Sequence, residues 1–542
     1  MTKVAILGGG VGGMSAAHEL IERGFDVVVY ERKLVPGGKA RSIWVPGSGT
    51  GGRKDLPGEH GFRFFPGFYH HLPDTMSRIP SPAGGSVRDR LVEATRFQIA
   101  RDDGHDPVLV ARFPRSIWEL ASAIRAIFDA DLGIPDGEWI FFAERLMEVL
   151  TSCDQRRLAE LERVSWWDFT RAATMSLAYR RYLVVGLTRS LVAMRAEEGS
   201  TRTVGVILWQ LLQSVLTPGG ELDRLLDGPT EEEWLGPWLD YLVGRGVTYE
   251  TNALVKAIHV AGGVVSGVDV DRGGTVTTET ADYYVSAVPV EQMTELVTPA
   301  MVALDPRFEH LSHLTYRWMN GIQFFLGHDI PLVHGHTIYA TSAWALTSIS
   351  QAQFWRRPVT EYGDGTVRGV LSVDISDWDA PGTITTHQPA RALTTREAVK
   401  NEVWAQLKAE LSPHLGAELD AALRSWFLDD SIVLPNPSGA ANLEPLLVNT
   451  VGSWEDRPDA VTRIPNLLLA ADYVRTTTDL ATMEAANEAA RRAVNGILEH
   501  TGSPAPRCTL WPLREPAALA PLKALDEVRF RHGKPNWFHS EP

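Results

Sequence analysis

The stretch Val4-Ala5-Ile6-Leu7-Gly8-Gly9-Gly10-Val11-Gly12-Gly13-Met14 decides the fold. An apolar β run enters a Gly-x-Gly-x-x-Gly turn at Gly8, Gly10 and Gly13, and a helical pattern from Met14 to Arg23 leaves it. A second β run, Asp26 to Tyr30, ends on Glu31, 23 residues after Gly8. Each part has a task when a dinucleotide binds. Gly8 makes the tight turn, and Gly10, with Gly12 in the same turn, lets the backbone approach a pyrophosphate. Gly13 lets helix and strand pack closely, and Glu31 accepts hydrogen bonds from an adenosine ribose. An acid at Glu31 argues against a 2′-phosphate and so against NADP.

The residues after Glu31 choose between NAD and FAD. Pro36-Gly37-Gly38-Lys39-Ala40-Arg41-Ser42 adds a second glycine pair that NAD dehydrogenases do not need. The run resembles the Gly-Gly-Arg/Lys-x-x-Ser/Thr stretch of the FAD-binding amine oxidase and phytoene desaturase superfamily. That resemblance implies that Arg32, Gly38, Lys39, Ala40 and Arg41 lie along FAD, from its ribose toward its diphosphate and isoalloxazine side. Lys39, in place of Arg, is similar to the desaturase branch.

Glu59-His60-Gly61-Phe62-Arg63-Phe64-Phe65-Pro66-Gly67-Phe68-Tyr69 resembles a run of plant-type and cyanobacterial phytoene and zeta-carotene desaturases. The resemblance implies that Gly61, Phe62 and Arg63 pass close to the flavin. Arg63 stands where those desaturases often carry His. An Arg beside the flavin pyrimidine ring stabilises negative charge on reduced flavin, which makes Arg63 a catalytic candidate. The alternative is an Arg stacked on aromatics or paired with Glu59. Val255 matches the superfamily strand whose valine backbone touches the adenine. Leu467-Leu468-Leu469-Ala470-Ala471-Asp472-Tyr473 and Thr482-Met483-Glu484-Ala485-Ala486 resemble the closing FAD motif. They imply that Asp472 holds the ribityl or phosphate region, and that Thr482 and Met483 open a helix aimed at the flavin N1–C2 carbonyl. Ala471 and Ala485 replace glycines of that motif.

The bulk numbers bound the rest. The 542 residues, 44% hydrophobic, suffice for a large core and more than one domain. A net charge of −15 with no basic stripe excludes a nucleic-acid partner. The two cysteines, Cys153 and Cys508, form neither a zinc signature nor a redox dithiol and resemble no flavin attachment site, so the FAD is expected to be non-covalent. Paired His70 and His71, and His334 with His336, read as structural or surface histidines, and no metal is expected. The first strand begins at residue 3, leaving no room for a signal peptide, and no run of about 18 apolar residues spans a membrane. The expected location is the cytoplasm, with a peripheral membrane contact left open.

The expected fold is α/β: a discontinuous Rossmann-type FAD-binding domain (1–89, 241–290, 431–500) with an inserted mixed α+β substrate domain (90–240, 291–430) and a C-terminal tail (501–542). Residues 43–58 read as a surface loop and 90–240 as mostly helical, including Ile117 to Phe128, Trp139 to Leu150 and Leu183 to Leu216. Ser165-Trp166-Trp167-Asp168 reads as a capping box. Residues 501–542 read as an extended tail or a surface wrap. The resemblance implies an FAD-dependent desaturase or dehydrogenase. It would take hydride from a hydrophobic, isoprenoid or carotenoid-like substrate and pass electrons to oxygen or a quinone. A flavin amine or amino-acid oxidase is the second reading, with Trp454 and Tyr473 as candidates beside the amine; a redox-neutral isomerase or dehydroxylase is the third, and a non-catalytic scaffold the fourth.

Overall fold

Lys3–Leu7 (β1) carries an unbroken apolar run because both faces of the strand are covered: Val4, Ile6 and Leu7 are fully buried. It pairs in parallel with Asp26–Tyr30 (β2) on one side and with Tyr283–Ser286 on the other. Leu467–Leu469 and Thr248–Glu250 complete a five-stranded parallel sheet as its two edges. Helix Val11–Ile21 (α1) returns from β1 and packs against helix Met483–Thr501, with Asn487 donating to the Ser15 hydroxyl at 2.8 Å. The segments that build this sheet are far apart in sequence, as a discontinuous Rossmann-type arrangement requires. The computed structural model describes residues 1–101, 108–111, 132–186, 188–189, 194–216, 223–434, 439–513 and 515–540.

A second sheet has seven strands in the order Leu423–Leu428, Asn320–Leu326, Gly369–Ile375, Leu346–Ser350, Gly335–Tyr339, Arg96–Ala100 and Val108–Ala111. Its pairs are antiparallel except Gly335–Tyr339 with Arg96–Ala100. Helix Arg396–Ala409 covers one face, where Phe324 and Trp404 meet with ring centroids 4.5 Å apart. A third apolar cluster holds Phe142, Trp166 and Tyr179 among the helices that follow residue 135.

Several local expectations are corrected. The described part of residues 90–240 is mostly helical, but four short strands interrupt it: Leu91–Glu93, Arg96–Ala100, Val108–Ala111 and Arg224–Leu226. Arg96-Phe97-Gln98-Ile99-Ala100 has the period-two alternation of a strand, and it is this run that extends the seven-stranded sheet. Helices Asp136–Thr151 and Thr201–Leu216 do form, but a break before Thr201 interrupts Leu183 to Leu216, where Ser200 N–H donates to Asn449 O at 3.1 Å. Ile117 to Phe128 lies outside the described residues. The presumed capping box is half of one: Ser165 Oγ accepts the Asp168 N–H at 3.0 Å, but the Asp168 carboxylate takes the Ser165 hydroxyl instead of its backbone N–H. The helix it opens is one turn, Trp166–Phe169. The Gly/Pro-rich loop is the tip of a hairpin, Ser42–Val45 with Leu56–Glu59. The tail contains a helix, Ala520–Arg531, docked by a buried Asp526. No described helix is long and apolar enough to cross a membrane.

Candidate active site

The glycine turn after β1 opens into a cavity of about 650 Å³. Gly8 takes φ +100°, a conformation that favours glycine, so the chain can turn directly into α1. A Cβ on Gly12 would lie 2.0 Å from the Ala470 carbonyl oxygen, so α1 approaches the Leu467–Leu469 strand end through bare backbone. Gly13 has the same packing role toward Gly8 and does not line the cavity. Gly10 differs: its Cβ would meet nothing nearer than 3.7 Å, because it faces the cavity. No side chain caps α1, and no acid occupies its first turn. The second glycine pair stands across from the first, with Gly37 N–H donating to Gly9 O at 2.9 Å. The result is a backbone-lined cradle at an open helix N-terminus, which fits a diphosphate.

Glu31 holds the next position. Its Oε2 accepts the Gly9 N–H at 2.7 Å and its Oε1 the Lys33 N–H at 2.8 Å. Burial pushes its carboxyl above the ordinary range, so hydroxyl donors from a ribose would restore hydration that the fold removes. Arg32 and Val255 line the same end, as do Lys39 and Ala40 beside Gly38. The Lys39 ammonium bonds the Pro445 carbonyl and sits 3.6 Å from Glu291.

At the other end the wall becomes aromatic. The Leu56–Glu59 strand delivers Gly61, Phe62, Arg63 and Phe64 across the seven-stranded sheet, fixed by the Gly321 N–H donating to His60 O at 2.5 Å. Phe68, Met194, Ile207 and Met319 extend this apolar lining. Arg63 is half-buried, donates to Lys39 O at 3.0 Å, and lies in the field of Glu59, Asp374 and Asp429. Burial lowers its pKa and those carboxylates oppose the shift, with Glu59 the strongest. Burial likewise pushes Glu59 up. Asp472, Thr482 and Met483 close the cavity from the C-terminal motif, and Thr482 caps its helix by accepting the Ala485 N–H at 3.1 Å.

Three sequence-predicted residues sit elsewhere. Tyr473 is fully buried in the core of the five-stranded sheet and does not line the cavity, because it follows Asp472 on the side turned into that core. Arg41 turns away at the end of the Gly38–Ala40 turn, held by Gly38 O at 2.8 Å and Glu444 at 2.8 Å. Trp454 is ringed by Arg202, Arg457 and Arg475, with centroid distances of 3.8, 5.6 and 5.6 Å. His71 is tied to Glu484 at 2.8 Å and accepts the Trp511 N–H at 3.1 Å, and His60 pairs with Asp429 at 2.6 Å. Sequence reasoning missed Thr347 and Asp374, and it took His336 for structural or surface; all three line the cavity. Strand parity was the available signal, but only once the pairing of three separate strands is known.

The family model for flavin containing amine oxidoreductase matches residues 11–498. The 15-cis-phytoene desaturase of Synechococcus elongatus is 24% identical over 486 residues, covering 87% of this chain and 90% of its own. The zeta-carotene desaturase of a Synechocystis species is 27% identical over 305 residues, 54% of this chain and 59% of its own. Among solved structures, an oxidoreductase from Methanosarcina mazei covers 92% of this chain and 100% of its own, with a TM-score of 0.57 at 14% identity. Cyclohexylamine oxidase from Brevibacterium oxydans covers 92% and 99%, with a TM-score of 0.56 at 13% identity. These structural likenesses show a shared fold.

Proposed function

This chain belongs to the family of flavin-containing amine oxidoreductases and is an FAD-dependent oxidoreductase, and on that premise we propose that it is a desaturase or dehydrogenase of a hydrophobic, isoprenoid or carotenoid-like substrate. The observation that carries this reading is the far half of the cavity. The glycine cradle continues into a chamber walled by Phe62, Phe64, Phe68, Met194, Ile207 and Met319. Such walls favour apolar carbon and exclude water. The desaturase relatives agree with it.

Bound FAD supplies a two-electron acceptor for a carbon–hydrogen bond. The protein does the rest. The α1 N-terminus and Gly10 would hold the diphosphate, Glu31 would accept the ribose hydroxyls, and Val255 would offer its backbone to the adenine. Asp472 would hold the ribityl region, and the helix opened by Thr482 and Met483 would offer its positive end to the ring. Arg63 places a half-buried positive charge at the chamber mouth, where it would stabilise negative charge on a reduced flavin. The aromatic wall orients the reacting carbon. Cys153 and Cys508 are buried and line no part of the cavity, which supports non-covalent binding. The electron acceptor would be oxygen or a quinone, and a quinone would call for contact with a membrane surface.

Amine oxidation is the second reading, favoured by the Asp374 carboxyl in the cavity lining, which would attract an amine when ionised. Anaerobic mixing of FAD-loaded protein with isoprenoids and, separately, with amines decides between them by loss of flavin absorbance. Bleaching by an isoprenoid supports the desaturase reading; bleaching by amines alone sinks it.

A further inference from the structure

His336, Thr347 and Asp374 line the cavity, and each holds a buried side-chain atom that no protein group satisfies: Nε2, Oγ1 and Oδ1. They come from three adjacent strands of the seven-stranded sheet. Thr347 lies directly opposite Asp374, and it also opposes Ile338, two residues from His336. Side chains two apart on a strand share a face, so the three form one diagonal row. Thr347 is 0% exposed and Asp374 5%. The row is walled by the aromatic chamber: the His336 ring meets Phe62 at 5.1 Å and Phe64 at 5.3 Å.

The row combines a neutral imidazole, a hydroxyl and a carboxyl that holds its proton unusually well. Burial pushes His336 down to about 4, so the ring is neutral. Burial pushes Asp374 up to about 7, and the Phe62 N–H already engages its carboxyl. The half-buried Arg63 charge next to Asp374 disfavours a second cation there. A pure hydrocarbon would leave one polar atom of each group without a hydrogen bond in a water-excluding chamber, which is unfavourable. A neutral oxygen can donate to one of them and accept from another.

We propose that the row His336, Thr347 and Asp374 binds a neutral oxygen function, a hydroxyl or carbonyl, on the substrate, and so fixes which part of an oxygenated lipid enters the chamber. This rests on the reading of the substrate as a hydrophobic lipid. These are positioning residues for that oxygen.

The test is equilibrium binding of two tritiated probes to the FAD-loaded full-length protein: a twenty-carbon isoprenoid primary alcohol and the hydrocarbon of the same skeleton. The alcohol is expected to bind at least about tenfold more tightly, equivalent to about 1.4 kcal/mol. Thr347→Val and Asp374→Asn should each shrink that preference to within about threefold, Thr347→Val in part by binding the hydrocarbon more tightly than wild type does. Thr347→Ser, which keeps the hydroxyl, should retain it. Equal affinity of wild type for both probes overturns the role of the row and leaves the lipid reading standing. Binding of neither probe overturns both. Loss of FAD from Thr347→Val or Asp374→Asn would assign the row to the cofactor and overturn the proposal as well.

Discussion

Gly10 and Gly12 sit two residues apart in one turn, yet a methyl group has a different consequence at each. On Gly12 it would stand 2.0 Å from the Ala470 carbonyl, a backbone atom with no flexible end to yield. Gly12→Ala is therefore expected to destabilise the apoprotein by about 3 kcal/mol. On Gly10 the nearest atom is 3.7 Å away, so Gly10→Ala should melt like wild type as apoprotein. Its methyl fills the diphosphate cradle instead, and FAD affinity should fall at least about tenfold. Thermal melts of apoprotein and FAD titrations separate the two effects; wild-type FAD affinity in Gly10→Ala would contradict the cradle. A second residue carries a pH signature. Burial, then the charges of Asp240 and Glu232, pushes Glu231 up to about 7 from an ordinary 4.5. Its folded pKa lies above its unfolded one, so the native state keeps a proton that the unfolded state releases. The resulting penalty is absent at low pH and grows as pH rises from about 4.5 to 7. Glu231→Gln should match wild type near pH 4 and exceed it by up to about 3 kcal/mol near pH 8. Urea unfolding at both pH values checks this, and a constant difference between them would refute it.

At the scale of elements, the helix His71–Ser77 (α2) depends on a residue more than 400 positions later. The Glu484 carboxylate accepts the backbone N–H groups of His70, His71 and Leu72 at 2.7, 2.7 and 2.9 Å, and also bonds the His71 ring. It satisfies the helix start that no local side chain caps. Glu484→Ala would leave buried amides without acceptors, and should lower stability by about 3 kcal/mol or more in chemical denaturation. Glu484→Gln, which keeps one acceptor oxygen, should lose less; an unchanged midpoint in both variants would remove Glu484 as the cap. This contact marks where the sequence stops being legible. The βαβ unit from Lys3 to Glu31 could be read because each of its steps is local: an apolar run, a glycine turn, a helical period, an acid. The pairing of Glu484 with His71 has no local sign, and neither does the row His336, Thr347 and Asp374, which exists only through strand register. Arg41 and Tyr473 show a related limit. A motif says which backbone passes the cofactor, but packing decides where the side chain turns.

Across the whole molecule, the C-terminal segment ties the helices of the chamber together. Asp526 is 1% exposed and accepts from Arg156 Nε at 3.0 Å, the Cys153 N–H at 2.9 Å and Asn536 at 2.9 Å. Glu515 accepts from Trp209 Nε1 at 2.7 Å and pairs with Arg157. Trp209 lies on Thr201–Leu216, the helix that also supplies Ile207 to the cavity wall. The tail therefore braces the apolar chamber, whereas the glycine cradle belongs to the five-stranded sheet and its two helices. Asp526→Ala leaves the Arg156 guanidinium buried without its main partner, a change worth about 3–5 kcal/mol. That loss falls on the tail and the helices it holds, so local opening there should precede global unfolding. Limited proteolysis of the variant should cut within residues 515–540 under conditions where wild type stays intact. FAD should stay bound through the cut, because no residue of the cradle contacts Asp526, while affinity for an apolar ligand should fall as the chamber wall loosens. Release of FAD in step with tail cleavage would instead mean that cradle and chamber unfold as one cooperative unit.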